Sequence, residues 1–99
     1  MRPRLVTSHH ALQRWVTRAH QDPLRLQGRW KRDAHWVGML IRRGKRHSRT
    51  YYGYQIDQVV LVVRHEHPAH QREQWICVSV WPVTHWMARL AQQNGRDEA

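Results

Sequence analysis

Apolar residues recur with helical spacing near the start of the chain, between Ser8 and His20. They are Ala11, Leu12, Trp15, Val16 and Ala19. Separations of one, four, five and eight residues place these side chains on one side of a helix. Thr7 or Ser8 is suited to cap that helix. A second, shorter helix is predicted after Asp22–Pro23, because Asp is a favoured N-cap residue and Pro is favoured at the first helical position.

After Asp33 the pattern changes to short runs of apolar, aromatic and β-branched residues, which are typical of strands. Four strands are predicted, and they cover Trp36–Ile41, Thr50–Ile56, Val59–Val63 and Gln74–Trp81. The first two strands flank a basic segment and form a hairpin. Asp57–Gln58 provides a tight turn into the third strand, and the polar residues 65–73 predict a loop before the fourth.

The pattern returns to helical spacing after Pro82, which ends the fourth strand. The apolar positions of this closing helix are Val83, Trp86, Met87, Leu90 and Ala91. Asn94–Gly95 marks its end, and residues 96–99 are expected to fray. Two helices, four mostly antiparallel strands and a closing helix predict an α+β class, with the helices on one face of the sheet. The length makes residues 1–99 a single domain.

The net charge of the chain indicates the class of partner that it binds. The chain has 17 Lys and Arg against 7 Asp and Glu, a formal net charge of +10 with histidine neutral. Fifteen of the basic residues are Arg, whose planar guanidinium pairs bidentately with phosphate and stacks on bases. A polyanionic partner is therefore predicted, and nucleic acid is the class it favours.

The compartment is predicted from three features. Residues 1–6 lack the apolar core of a signal peptide, and no apolar run approaches the length needed to span a bilayer. The single cysteine, Cys77, lies in the apolar run Trp75–Val78 and is expected to be a buried thiol, in agreement with a reducing compartment. We expect a cytoplasmic protein with no membrane partner.

The first predicted helix places His10 and Arg14 four residues apart, so both lie on one side of it, beside the apolar stripe. Cleavage of RNA without a metal needs a base for the 2′-OH proton, an acid for the departing 5′-oxygen, and cations for the charge on the phosphorane. His10 is suited to either proton transfer and Arg14 to the cation role. A solvated helix face explains the same pair without any chemistry.

Four stretches of the chain are similar to a known family. They are Ser8–Trp15, reading SHHALQRW, the pair Tyr52–Gly53, the strand Val59–Arg64 and the run Ile76–Val80. Together they resemble the small toxin-like proteins of the RelE/barnase-EndoU-colicin ribonuclease superfamily, in a branch whose members begin with a helix reading HAxxR. The resemblance covers residues 7–81. It implies a metal-independent endoribonuclease without a cofactor, which binds RNA in preference to DNA and has an acidic antitoxin as its partner.

The same resemblance implies roles for particular residues. His10, Ala11 and Arg14 match the helix motif, and Ser79 lies where the last strand of the family often has Thr. Catalytic roles for His10, Arg14 and Ser79 follow from it. The chain departs from the family in two respects: the final strand has no His or Arg for a second proton transfer, and a closing helix from Val83 lies outside the usual pattern.

The predicted hairpin tip carries five fixed positive charges in eight residues. They are Arg42, Arg43, Lys45, Arg46 and Arg49. Such a tip beside a groove is suited to grip phosphates, whereas a solvated, mobile loop explains the same charges without a ligand. Tyr51, Tyr52 and Tyr54 follow the tip, and Tyr52 is expected to point opposite to its neighbours on alternating faces and to stack on a base, unless it packs in the core.

The remaining aromatic and imidazole side chains leave several alternatives open. Trp15, Trp36, Trp75 and Trp86 are predicted to be core residues, while Trp30 and Trp81 either pack in the core or stack on a base. His65, His67 and His70 have a spacing that suggests zinc or nickel. No cysteine accompanies them and no common structural zinc pattern fits, so we predict no metal and an exposed loop that gains charge below neutral pH.

Two functions stay open at this point. One is a toxin-type ribonuclease that turns over RNA. The other is a non-enzymatic binder, such as a small phage-encoded inhibitor that blocks a host nucleic-acid machine or protein. A toxin relative that has lost its chemistry and kept only its affinity for nucleic acid is a third possibility.

Overall fold

A computed structural model of the chain describes residues 2–66 and 73–98. Within them the fold has five strands and three α-helices. The strands are β1 (Leu5–Thr7), β2 (His35–Arg43), β3 (Ser48–Ile56), β4 (Val59–Glu66) and β5 (Gln74–Pro82), and the helices are α1 (His9–Arg14), α2 (Leu26–Arg32) and α3 (Val83–Glu98). The predicted α+β class is confirmed.

The strands form one mixed sheet in the order β1-β5-β4-β3-β2. β1 runs parallel to β5, and the other neighbouring pairs are antiparallel. The prediction of four strands is therefore wrong by one, because β1 has only three residues and is too short to show an alternating pattern. The four predicted strands are all present and slightly longer than predicted.

Helices cover both faces of the sheet, which corrects the prediction that they share one face. In the larger core, Trp15 and Trp30 pack with Leu61 of β4. On the opposite face, Trp86 of α3 packs with Val60 of the same strand. Successive strand residues point to opposite faces, so the uninterrupted apolar run of β4 is buried on both sides. That run was the sequence signal for cover on both faces.

The first predicted helix is confirmed, although its helical type changes partway. Ser8 is its N-cap, and the Ser8 hydroxyl accepts a hydrogen bond from the Ala11 backbone N–H at 3.0 Å. α1 continues into a π-helical segment at Trp15–Ala19. The segment ends at His20, whose φ of 55° lies in the left-handed region.

The start of the second helix is also confirmed. The Asp22 carboxylate accepts a hydrogen bond from the Leu24 backbone N–H at 2.8 Å, and a 3₁₀ turn at Pro23–Arg25 leads into α2. The Arg29 guanidinium binds Asp57 at 3.0 Å and Asp33 at 2.5 Å, which ties α2 to the β3–β4 turn. The hydrogen bond to Asp57 raises the pKa of Arg29 above its usual value.

Two glutamine side chains form hydrogen bonds with backbone groups at the two outer edges of the sheet. Gln27 of α2 accepts from the Leu5 backbone N–H and donates to the Leu5 carbonyl on β1. Gln93 of α3 accepts from the Ile41 N–H at 2.7 Å and donates to the Met39 carbonyl at 3.1 Å on β2. Each amide takes the place of a neighbouring strand, which protects an otherwise open edge.

The closing helix extends to Glu98, so the end predicted at Asn94–Gly95 is wrong. A glycine inside a helix costs about 1 kcal/mol relative to alanine, which is too little to end a helix by itself. Fraying of residues 96–99 stays a prediction. No helix among the described residues is long and apolar enough to cross a membrane.

The solvent exposure of each side chain shows which of the predicted core residues are buried. Trp15, Trp30 and Trp86 are fully buried, and Trp30 donates its indole N–H to the Pro3 carbonyl at 2.9 Å, so it is not free to stack on a base. The core prediction for Trp36 is wrong, because it lies on the edge strand β2 beside a register shift and is 58% exposed. Cys77 is buried as predicted, and its burial raises the pKa of the thiol to about 12.

Candidate nucleic-acid interface

An open cavity of about 810 Å³ lies on the face of the sheet that α3 partly covers. We call it the basic groove. Its floor and rim come from Leu40–Arg43 of β2, Tyr51 of β3, Val62 of β4 and Val78, Ser79 and Trp81 of β5, and its wall comes from His85, Arg89, Gln92 and Gln93 of α3. The groove therefore gathers side chains from four strands and one helix.

The position of α3 is set by Trp86. Its ring is buried, and its indole N–H donates to the Val37 carbonyl at 3.1 Å. The ring lies directly over Gly53 of β3, where any Cβ would overlap atoms Cε2 and Cζ2 of the indole. The close approach of the helix thus requires glycine at position 53. The contact between Trp86 and Gly53 positions α3 along the side of the groove.

The groove is cationic in its fixed charges. Arg42 and Arg43 contribute from β2, and Arg89 contributes from the facing wall of α3. Among the described residues that line it there is no carboxylate. Asp33 and Asp57 instead pair with Arg29 of α2, whose core lies on the opposite face. A concave surface with one sign of charge attracts and concentrates ligands of the opposite sign.

Two aromatic side chains accompany these charges. Tyr51 and Trp81 both line the groove and remain partly exposed. The Trp81 ring makes an edge-on contact with the His85 ring, with centroids 4.6 Å apart and planes at 72°. Partly exposed rings beside arginines offer stacking surfaces for nucleobases.

At the part of β5 that follows Cys77, two of the three predicted catalytic residues come together. β1 pairs with β5 only as far as Cys77, so the next residues of β5 have no strand neighbour on that side. The helical segment after β1 covers them instead. His10 Nε2 lies 3.5 Å from Ser79 Oγ, and Arg18 Nη1 donates to the Val80 carbonyl at 2.5 Å.

Ser79 connects His10 with the groove. Ser79 lines the groove itself, beside a register shift between β4 and β5. His10 is not among the described residues that line the groove, and it contacts the groove residue Ser79 through the Ser79 hydroxyl. Arg14, the third predicted catalytic residue, is exposed and is also outside the groove lining. The structure therefore joins His10 to Ser79 but does not place Arg14 with them.

The predicted phosphate-gripping residues gather at the tip of the β2–β3 hairpin. A smaller cavity of about 340 Å³ is lined there by Arg42, Lys45, Arg46 and Arg49, together with Gly44, His47 and Tyr51. The Gly44 N–H donates to the His47 carbonyl at 3.0 Å across the tip. Arg42 and Tyr51 line both cavities, so the basic tip is continuous with the basic groove.

Tyr52 lies on the opposite face of the sheet from the groove. It is half-buried against the larger core, and its ring stacks on His65 with centroids 4.4 Å apart. The expectation that Tyr52 and Tyr51 point in opposite directions is confirmed, but Tyr51 is the one that lines the groove. Strand alternation defines such a pair of faces, and only the packing of the helices shows which face stays open.

Of the three histidines in the predicted loop, His65 lies among the described residues. His65 belongs to β4, which corrects the loop boundary at that residue, and its ring lies 3.9 Å from the Trp75 ring centroid. His67 and His70 lie outside the described residues. No group of three or more His, Cys, Asp or Glu suited to hold a metal ion occurs within the described part of the chain.

Two groove residues of α3, His85 and Arg89, were missed by the sequence analysis. The signal was present, because they repeat the His-x-x-x-Arg spacing of His10 and Arg14. The repeat lies beyond residue 81, where the family resemblance ends. No family model, curated protein or solved structure matches the chain.

Proposed function

We propose that this protein binds single-stranded RNA in the basic groove and cleaves it by transesterification without a metal. The observation that carries the proposal is the continuity of the groove with the cationic hairpin tip, joined by Arg42 and Tyr51. The polynucleotide backbone would follow this surface, and the end of the groove at Ser79 and His10 would be the place of cleavage.

The charges support a polyanion as the ligand. Arg42, Arg43 and Arg89 in the groove and Lys45, Arg46 and Arg49 at the tip provide six cations on one continuous surface. If each neutralises one phosphate of a single strand, log K falls with log salt at a slope of about −4. A salt dependence of that size distinguishes phosphate binding from the docking of an apolar ligand.

The aromatic side chains support a single strand over a duplex. Tyr51 and Trp81 offer partly exposed rings on the groove. Bases stacked within a duplex have no free face, whereas unpaired bases stack on aromatic rings with about 1–3 kcal/mol each. RNA is favoured over DNA in this proposal because transesterification uses the 2′-OH as its nucleophile.

The cleavage part of the proposal rests on the contact between His10 and Ser79. The 3.5 Å separation of His10 Nε2 and Ser79 Oγ puts a proton-transfer group at the end of the groove. The groove arginines are suited to stabilise charge on the phosphorane. No carboxylate lines the described groove, so Mg²⁺ would lack the oxygen ligands it prefers there. The HAxxR resemblance supports the same chemistry.

A second candidate is a non-enzymatic binder with the same groove. It is favoured by the position of Arg14, which is exposed and outside the groove lining, and by the indirect access of His10. Such a protein would block a host nucleic-acid machine or be held by an acidic protein partner over the groove. It predicts a stoichiometric complex without turnover.

The test uses a labelled single-stranded RNA and its DNA counterpart of the same sequence, each titrated with the protein in EDTA at two salt concentrations. We expect RNA binding with the steep salt dependence given above, together with strand cleavage of the RNA alone. Binding of RNA without cleavage selects the second candidate. Weak binding that is insensitive to salt contradicts both.

A further inference from the structure

Resting on the proposed function, we propose that α3 supplies the second proton-transfer group that RNA cleavage requires. His85 accepts the proton of the 2′-OH, and Arg89 binds the phosphate that is cleaved. Neither residue belongs to the part of the chain that resembles the ribonuclease superfamily. The pair therefore fills the place left by a final strand that has no His or Arg of its own.

The packing of α3 turns this pair toward the groove. Trp86 is buried against β4, and a Leu90 methyl lies 3.0 Å from the position of a Cβ on Gly38, so both side chains face the sheet. His85 and Arg89 each precede one of them, which rotates them by about 100° around the helix. They are four residues apart and thus neighbours on one helix side, and both line the groove.

The same local spacing occurs in α1, with a different outcome. HALQR in α1 and HWMAR in α3 each place a buried residue, Ala11 or Trp86, directly after the histidine. In α1 the pair is exposed and outside the groove lining. In α3 both members of the pair line the groove. The location of the helix, rather than the motif, decides which imidazole meets a ligand directly.

Two imidazoles come to the groove from opposite faces of the sheet. α1 belongs to the core of Trp15 and Trp30, and α3 packs on the other face. His10 contacts the Ser79 hydroxyl, while Ser79 and His85 line the same groove. The edge-on contact with Trp81 holds the His85 ring in place. A base on one side of a phosphate and an acid on the other is the arrangement that an in-line displacement needs.

Cleavage with these groups is a transesterification. His85 takes the 2′-OH proton while the 2′-oxygen forms its bond to phosphorus. The bond from phosphorus to the 5′-oxygen breaks, and that oxygen receives a proton from the Ser79 hydroxyl, which is reprotonated by the His10 imidazolium. The products are a 2′,3′-cyclic phosphate and a 5′-hydroxyl. Arg89 binds the non-bridging oxygens, whose negative charge increases in the transition state.

The pH dependence follows from the role of a base, which must be neutral to accept a proton. The titratable and charged groups that line the groove together with His85 are Arg89 on its own helix, Arg42 and Arg43 on β2, and Tyr51 on β3. Trp81 of β5 contacts the His85 ring, and Ser79 lines the same groove. Loss of His85 should therefore change the pH profile of cleavage.

The experiment compares His85→Ala, His85→Gln and the control His35→Ala, using a labelled single-stranded RNA in EDTA. His35 is an exposed histidine at the start of β2 outside the groove lining. We expect both His85 variants to lower the cleavage rate by about 10² or more. RNA affinity should stay within about threefold of the wild type, and the pH profile of cleavage should change. His35→Ala should match the wild type in all three measurements.

Arg89→Ala is compared with Arg25→Ala, an exposed arginine outside the groove lining, before α2. The first should weaken both binding and cleavage, and the second neither. Cleavage at the wild-type rate by both His85 variants would overturn this inference and leave the proposed function intact. A wild-type protein that binds RNA without cleaving it would overturn the inference together with the cleavage part of the proposal, and one that does not bind would overturn both proposals.

Discussion

The helices α1 and α3 carry the same His-x-x-x-Arg spacing, yet they use it differently. α1 and its N-cap lie against the part of β5 that follows Cys77: the Ser8 hydroxyl donates to the Val78 carbonyl at 3.4 Å, and His10 contacts Ser79. In α3, the pair stands over an open sheet face. The comparison teaches that a short motif acquires a role only from the surface on which its helix packs.

The largest expected effect is on RNA cleavage, and it should differ between the two histidines of α1, His9 and His10. His10→Ala should lower RNA cleavage by about 10²–10⁴, because it removes the group that reprotonates Ser79. His9→Ala is the matched control, since His9 is exposed and contacts Gln13 instead of the strand. Cleavage rates on one labelled RNA measure both. An equal loss in the two variants would remove the assignment of His10.

The next effect concerns the contact between Trp86 of α3 and Gly53 of β3. Gly53→Ala should destabilise the fold by about 1–3 kcal/mol, because the added Cβ overlaps the buried Trp86 ring. RNA binding should weaken in the remaining folded protein as α3 moves away from the groove. Urea unfolding and RNA titration at a fixed folded fraction separate the two effects.

The control for that change is Gly28→Ala in α2. A Cβ there would meet only the far end of the Arg32 side chain, at 3.4 Å. We expect stabilisation of about 0.5–1 kcal/mol, as for alanine in a helix interior, and unchanged RNA affinity. Unchanged stability of Gly53→Ala would contradict the close packing of α3 on β3.

A smaller effect tests the continuity of the groove with the hairpin tip. The double change Arg42→Ala and Arg43→Ala should make the salt slope of RNA binding shallower by about 1.4, as expected for two phosphate contacts on a single strand. The pair Arg25→Ala and Arg32→Ala removes the same charge from exposed sites outside the groove. An identical change of slope in both double variants would show that net charge alone binds the RNA.

Much of the fold could be predicted from local patterns, because helical and alternating periodicities repeat over several consecutive residues. β1 could not be predicted, because three residues are too few to show an alternating pattern. The strand is defined by its pairing with Trp75–Cys77. The apolar run of β4 carried a signal for burial on both faces, but the helices were predicted on one face only. The exposure of Trp36 could not be predicted, because it depends on the position of β2 at the edge of the sheet.

The candidate site was predictable only in parts. The contact of His10 with Ser79 brings together two residues to which the family resemblance assigned roles, although their proximity was not predicted, and the clustering of basic residues at the tip follows from a hairpin. The choice of Tyr51 over Tyr52 for the groove needed the tertiary arrangement of α3. His85 and Arg89 were overlooked because a pattern confined to residues 7–81 directs attention away from the closing helix.

The most direct test of the account is the RNA affinity of Arg89→Ala beside that of Arg14→Ala, measured on the same single-stranded RNA at one salt concentration. The two changes remove the same charge from the equivalent position of the same motif. We predict that Arg89→Ala weakens binding by about tenfold, the cost of one charge-assisted contact, and that Arg14→Ala leaves it nearly unchanged. The reverse order, or equal losses, would contradict the claim that RNA lies along α3.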